Sequence, residues 1–472
     1  MPDTERQPAT RPPDCPPDAP SAGRAPRFVT GSILRHILVM TGTGALGLMA
    51  IFIGDLANIF FLGRLGDVEV VAAVGYAAAI QFFSISVGIG LAIATASLVA
   101  PAIGARDMAT ARRLAASAHV FAAVFTALVA AALWVATPWL LMRLGAGGRT
   151  LALATGYLRV VLPSLPVLAV AMASSAALRS AGDPRRAMYV TLAGAVVNIA
   201  LDPPLIFGLG LGIDGAAWAS AISRFAAMAI GLLGVVRAHH LIAWPSGENV
   251  IADARAIGGI ALPAVLANVA TPVANAYVTA AIAPFGDSAV AGWAIIGRTL
   301  PVAFGAIYAL SGSIGPVLGQ NLGAREFARV RAVLSSALWV STGFTLLAWL
   351  VLVALTGPLV RAFGADGLAA ELIELFCRWV APLFAFLGAL FVANAAFNVL
   401  GRPHLATAFN WSRATLGTVP FVEIGSRLAG AQGVVAGNMI GAIPFGIAAV
   451  VACYWLIGRL AHADARRANT IT

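Results

Sequence analysis

The chain is 472 residues long, 60% of them hydrophobic and only 11% charged, with a mean hydropathy of +0.89. A soluble domain carries about 25% charged residues, so no aqueous core could hide this much apolar surface, and lipid is the solvent for most of the chain. The formal charge of +10 does not point to nucleic acid: all 30 basic residues are arginines, set in short connections between apolar runs, where basic side chains orient a protein in a bilayer.

Residues 1–30 are rich in Pro, Arg and Asp and hold no apolar block, which predicts a disordered cytoplasmic tail, neither a span nor a cleaved signal. Twelve apolar runs follow, at 33–62, 70–101, 117–142, 155–178, 187–209, 215–236, 259–284, 289–318, 333–361, 371–400, 404–423 and 433–459. Each is long enough to cross about 30 Å of hydrocarbon as a helix. An even number of spans puts both termini on one side. Twenty arginines fall on that side, against five (Arg64, Arg143, Arg149, Arg361 and Arg427) in the opposite loops. The positive-inside rule then makes the termini cytoplasmic, in a multi-pass protein of the inner (plasma) membrane. Cys15, Cys377 and Cys453 are scattered without ligand spacing, so neither a disulfide frame nor a zinc site is indicated.

The sequence also repeats itself. "GARDMATARR" (104–113) resembles "GAREFARVR" (323–331), and "ALRSAGDPRRA" (177–187) resembles "AFNVLGRPHLA" (396–406). "GDVEVVAAVGYAAAI" (66–80) and "GIDGAAWAS" (212–220) have counterparts at 286–296 and 430–438 in the same order. The expected fold is all-α, with twelve transmembrane helices in two parallel six-helix repeats. An amino-terminal lobe at 31–237, a cytoplasmic linker at 238–258, a carboxy-terminal lobe at 259–460 and a tail at 461–472 make up the chain. Parallel repeats related by an axis along the membrane normal are a plan used by transporters.

One carboxylate stands out within the fifth run, "NIALDPPLIF", where Asp202 is followed directly by Pro203 and Pro204. An intramembrane charge is costly and marks a pathway or a partner. By helical rise, Asp55, Asp202 and Ser220 lie roughly 12, 10 and 9 Å from the outer surface on the first, fifth and sixth spans. Asn198 is one turn below Asp202 on the same face, and Asn58 is near Asp55. These oxygen-rich side chains suit a proton or a sodium ion, and the prolines predict a bend that frees carbonyls beside the carboxylate. The alternative is structural: Asp202 pairs with an arginine or caps a broken helix.

These residues carry a family resemblance. "ANIFFLGRLG", "GQNLGARE", "LRSAGDPRRAM" and above all "NIALDPPLIFGLGLGIDGAAWAS" resemble the multidrug and toxic compound extrusion (MATE) transporters, over about residues 33–460. The resemblance implies a twelve-helix, two-lobe exporter of organic, often cationic, compounds in exchange for sodium ions or protons. It implies that Asn198 and Asp202 form the amino-terminal ion site with a first-helix acid, and that Ser220 supplies a hydroxyl. This chain departs from the pattern: Asn58 stands where the family acid is found, and Asp55 is the candidate substitute.

The carboxy-terminal half is polar in another way. Arg298 and Glu423 are expected to pair, and Glu374 with Arg378 to form a local helix pair. Gln81, Arg298, Asn394, Asn398, Arg413 and Glu423 are candidate substrate or gating contacts; Arg159 and Arg224 receive no role. The alternative function is a flippase for a lipid-linked or anionic saccharide, for which Arg298, Arg378 and Arg413 would serve. A membrane enzyme is disfavoured: no HExxH, GxSxG or clustered histidines occur. The expected partners are small organic substrates and membrane lipids, with no nucleic acid and no cofactor beyond the coupling ion, in a monomer.

Overall fold

The structure, a computed structural model, describes residues 26–242 and 249–471. Among these, ten helices are long and apolar enough to cross a membrane, or up to eleven if one bent pair counts as a single span. The amino-terminal half contains α1 (Ile33–Gly63), α2 (Val68–Gly104), α3 (Met108–Arg143), α4 (Gly148–Ser180), α5 (Pro184–Gly208) and α6 (Gly212–Ala238). Then come α7 (Val250–Phe285), α8 (Asp287–Ala303), α9 (Gly305–Gly323), α10 (Phe327–Ala362) and α11 (Gly367–Val399). The eighth apolar run is thus two helices, α8 and α9, bent by 48° at Phe304.

The helical stretch after Pro403 contains a reversal. Ala429 (φ −144°, ψ 23°) and Gly430 (φ 58°, ψ −139°) leave helical conformation and divide it into α12 (403–428) and α13 (431–471). Gly417 meets the backbone of Gly441, and Gly425 that of Gly433, so closely that neither pair has room for a Cβ. In an unbroken helix the first pair would stand about 36 Å apart. The two helices therefore run back to back along a glycine seam.

Several helices begin earlier than their apolar runs, because a polar cap extends them into the loop. Asp107 and Asp183 accept from the amides of Thr110 and Arg186, and Pro184 sits at the first helical position, where its missing N–H costs nothing. The turns recur along the chain. Arg106 (φ 60°) and Arg325 (φ 59°) hold the same left-handed conformation, as do Gly182 (φ 79°) and Gly401 (φ 73°).

Buried faces are rich in Ala and Gly, which lets helix backbones approach in lipid. The outward faces carry large apolar groups such as Trp339, Val135 and Leu428. α1 and α5 pack in parallel: Gly47, with no side chain, sits against Thr191, and Asn58 against Asp202.

The halves meet mainly at the face that carries both chain ends, here called the terminal face. There, Gly104 and Gly323 leave no room for a Cβ between α2 and α9. Phe28 is buried, and its amide donates to Gln320 Oε1 at 2.9 Å. Gln320 Nε2 donates to the Ser180 carbonyl at 2.7 Å, and Asn321 Nδ2 to the Phe28 carbonyl at 3.1 Å. Asp253 of α7 accepts from Ser117 at 2.7 Å and pairs with Arg113 at 3.1 Å, both on α3. Of the expected tail, residues 1–25 lie outside the described part. Arg27 and Phe28, by contrast, are built into the fold: the Arg27 side chain donates to the Gly182 carbonyl at 3.0 Å, and the buried amides of Gln320 and Asn321 bond the Phe28 backbone.

Candidate functional site

Asp202 is fully buried at the end of the regular part of α5. Pro203 and Pro204 lack the N–H groups that would bond the carbonyls of Ile199 and Ala200. Past them the helix widens into a π turn, Pro204–Gly208, closed by the Leu209 amide on the Pro204 carbonyl at 2.9 Å. The expected disruption is therefore a widening that leaves acceptors free beside the carboxylate.

The Asn58 amide donates to both Asp202 oxygens, at 3.2 and 3.1 Å. One turn down α5, Asn198 Nδ2 donates to Ser220 Oγ of α6 at 3.4 Å. Asn58, Asp202, Asn198 and Ser220 thus form one polar patch on three helices. Its remaining acceptors are the Asp202 lone pairs and the two amide oxygens, groups that can take a cation or a proton.

Asp55 is not brought into this patch. It is exposed on α1 and makes no hydrogen bond or ion pair, because α1 presents Gly47, Gly54 and Asn58 to α5 and Asp55 lies to one side of that stripe. The expected Arg298–Glu423 pair is likewise not formed. Glu423 accepts from the Tyr277 hydroxyl at 2.9 Å, and Arg298 is exposed without a partner. Glu374 and Arg378 do pair, at 3.6 Å.

Arg224, given no role from sequence, anchors a second polar network one helical turn past Ser220. Its guanidinium donates to Ser164 Oγ at 2.9 Å, the Val161 carbonyl at 3.1 Å and Gln81 Oε1 at 3.3 Å. Gln81 in turn lies 3.5 Å from the Tyr157 hydroxyl. The i, i+4 spacing from Ser220 was the available signal. In the other half, Arg413 is buried, and Asn394 and Asn398 each hold an enclosed Oδ1 without a partner.

A buried carboxylate at a helix break, whose partner among the described residues is the Asn58 amide, is the kind of group that marks an ion pathway in a multi-pass apolar bundle. The MatE family model matches residues 45–203 and again residues 263–422, and the chain belongs to that family. It is accordingly a secondary active, ion-coupled transporter of the multidrug-efflux class and not an enzyme.

Among its relatives is the FAD transporter of Shewanella oneidensis, 29% identical over 440 residues that cover 92% of this chain and 96% of that protein. The multidrug export protein MepA of Staphylococcus aureus is 25% identical over 434 residues, 89% of this chain and 92% of its own. Among solved structures, the Vibrio cholerae MATE transporter VcmN in its bent form superposes with a TM-score of 0.86 at 28% identity, covering 90% of this chain and 97% of that one.

Proposed function

We propose that the chain exports organic compounds, cationic or lipophilic, in exchange for an inward proton or sodium ion. Neutralisation of Asp202 drives each turn of the cycle. The observation that carries this reading is the full burial of Asp202 with Asn58 as its only side-chain donor among the described residues. Such a carboxylate needs a cation to be comfortable ionised, and the break at Pro203 and Pro204 lets α5 respond when the cation leaves. The coupling set is Asn58, Asn198, Asp202 and Ser220, with Asp55 outside it.

In this reading the protein is a monomer in the inner membrane, with cytoplasmic termini and twelve spans in lobes of six, 31–237 and 259–460. The reversal at Ala429–Gly430, the bent α8–α9 pair and the double match of the family model support that count. The likeness to the FAD transporter supports a second reading of the cargo, as an anionic, flavin-type compound.

Purified protein in vesicles, loaded with a cationic dye and given a sodium or a proton gradient, tests the scheme. Dye should move against its gradient when either ion flows the other way, and Asp202→Asn should stop it. Dye transport by Asp202→Asn with the wild-type ion dependence would return Asp202 to a structural role.

A further inference from the structure

Arg413 opens a π turn in α12, Arg413–Gly417, about 15 Å along the span from Pro403. It is 5% exposed. Among the described residues its guanidinium makes no hydrogen bond or ion pair, and its Nε is enclosed. Burying a charge without a partner is among the most costly things a fold can do. Thr407 and Trp411 donate to carbonyls of Pro263 and Leu266 on α7, at 2.7 and 3.0 Å. Two residues past Trp411, Arg413 therefore points away from α7, into the interior of its half. The stacked rings of Phe397 and Phe409, 5.6 Å apart, set the antiparallel register of α11 and α12 and bring Asn394 level with Arg413. The acids of α11 and α12 are taken: Glu371 by Gln432, Glu374 by Arg378 and Glu423 by Tyr277.

We propose that the guanidinium of Arg413 receives an anionic group, a carboxylate or phosphate, on the exported compound. A planar guanidinium binds such oxygens two at a time, and its unmet donors are then satisfied. The inference rests on the second reading of the cargo, as an anionic compound, and assigns the cargo's charge to the half that lacks Asp202.

The test compares two fluorescent ligands with one ring system, riboflavin and riboflavin 5′-phosphate, bound to the full chain in detergent. The phosphorylated flavin should bind tighter, Arg413→Gln should weaken it about tenfold or more while sparing riboflavin, and Arg413→Lys should keep part of the difference. An equal preference in wild type and Arg413→Gln overturns the proposal. So does displacement by inorganic phosphate at matching concentration, which would mark a site for a free small anion. Gradient-driven dye export by the wild type is scored separately: its failure removes the export reading, while equilibrium binding still decides on Arg413.

A second inference has an independent basis in the packing of α1 against α9. Gly44 lies on Ala309, and Ser313 Oγ donates to the Met40 carbonyl at 3.1 Å, so the two helices run antiparallel. Eleven residues from the Gly44–Ala309 contact, toward the face opposite the chain ends, lie Asp55 on α1 and Arg298 on α8. Eleven residues are almost three full turns, so Asp55 shares the face of α1 that makes that contact, and Arg298 lies the same number of residues beyond it, past the break at Phe304. The 48° bend at Phe304 carries α8 away before they meet, and both side chains are exposed and unpartnered.

We infer that Asp55 and Arg298 form an ion pair when the halves close at that face and α8 straightens. Asp55→Arg and Arg298→Asp should each reduce dye export, and the doubly swapped protein should regain it. Asp55→Cys with Arg298→Cys, in a chain lacking the native cysteines, should cross-link with a short bifunctional thiol reagent in a gradient-dependent way. Absence of both the rescue and the cross-link under either direction of gradient refutes the pair.

Discussion

Asn58 shows how one residue changes the chemistry of a site. Its amide donates to Asp202, whereas a carboxylate there would compete with Asp202 for the same cation. Asn58→Ala should preserve folding but remove the donor that stabilises the ionised Asp202, so export should reach half-maximal rate at a lower proton concentration. A vesicle assay with the dye measures this, and an unchanged ion dependence would show the bond to be incidental. Outside the membrane, Asp183 gives a pH prediction. Burial works to raise its pKa, but hydrogen bonds from His239 and from the amide and side chain of Arg186 outweigh that and hold it below the usual carboxylate value of 3.8. A carboxylate depressed in the native state contributes stability that is complete above its unfolded pKa and is lost as pH falls through the native one. Melting temperature in detergent should therefore drop as pH falls below about 4, and Asp183→Asn should flatten part of that drop while lowering stability at neutral pH.

At the scale of elements, the glycines decide which helices can touch. Gly441→Leu would drive a side chain into the Gly417 backbone, an overpacking that costs about 1–3 kcal/mol or more. It should lower the melting temperature far more than Gly458→Leu, whose Cβ meets nothing. Gly47→Val should act on function instead, because it pushes Thr191 away and parts Asn58 from Asp202. Hydropathy marked nearly every helix, since lipid imposes the same demand on every span. It did not show the break at Phe304, because Pro301 just before it and Gly305 just after it leave the run as apolar as its neighbours, or the early starts of α3, α4 and α7, which caps and loop turns decide. Asp202, Asn198 and Ser220 were legible because polar groups in apolar runs are conspicuous. The displacement of Asp55 was not, because a 60° turn about the α1 axis separates it from Asn58 and only packing fixes that angle. Arg224 was passed over because its partners, Ser164 and the Val161 carbonyl, belong to a distant helix.

For the whole molecule, the terminal face is the closed one in this structure. Gly323→Val would separate α2 from α9 where Pro101 now abuts. Single cysteines placed at Ser180 in that background should react with an impermeant thiol reagent from the terminal side faster than in the parent. Equal rates would mean that the contact is not what closes the face. The bonds of Phe28, Gln320, Asn321, Ser117, Arg113 and Asp253 across this face also set a mechanical demand. Each contributes about 0.5–1.5 kcal/mol net, the charged ones more. One elementary charge moving through 100 mV supplies about 2.3 kcal/mol. A single ion per cycle cannot break five such bonds unaided, so opening here must be balanced by bonds made at the opposite face. The transporter then works as a nearly level seesaw, and the gradient only tips it. Trimming the loaded end, as Gln320→Ala would do, should speed the idle swing of the empty protein and let ions leak through without cargo.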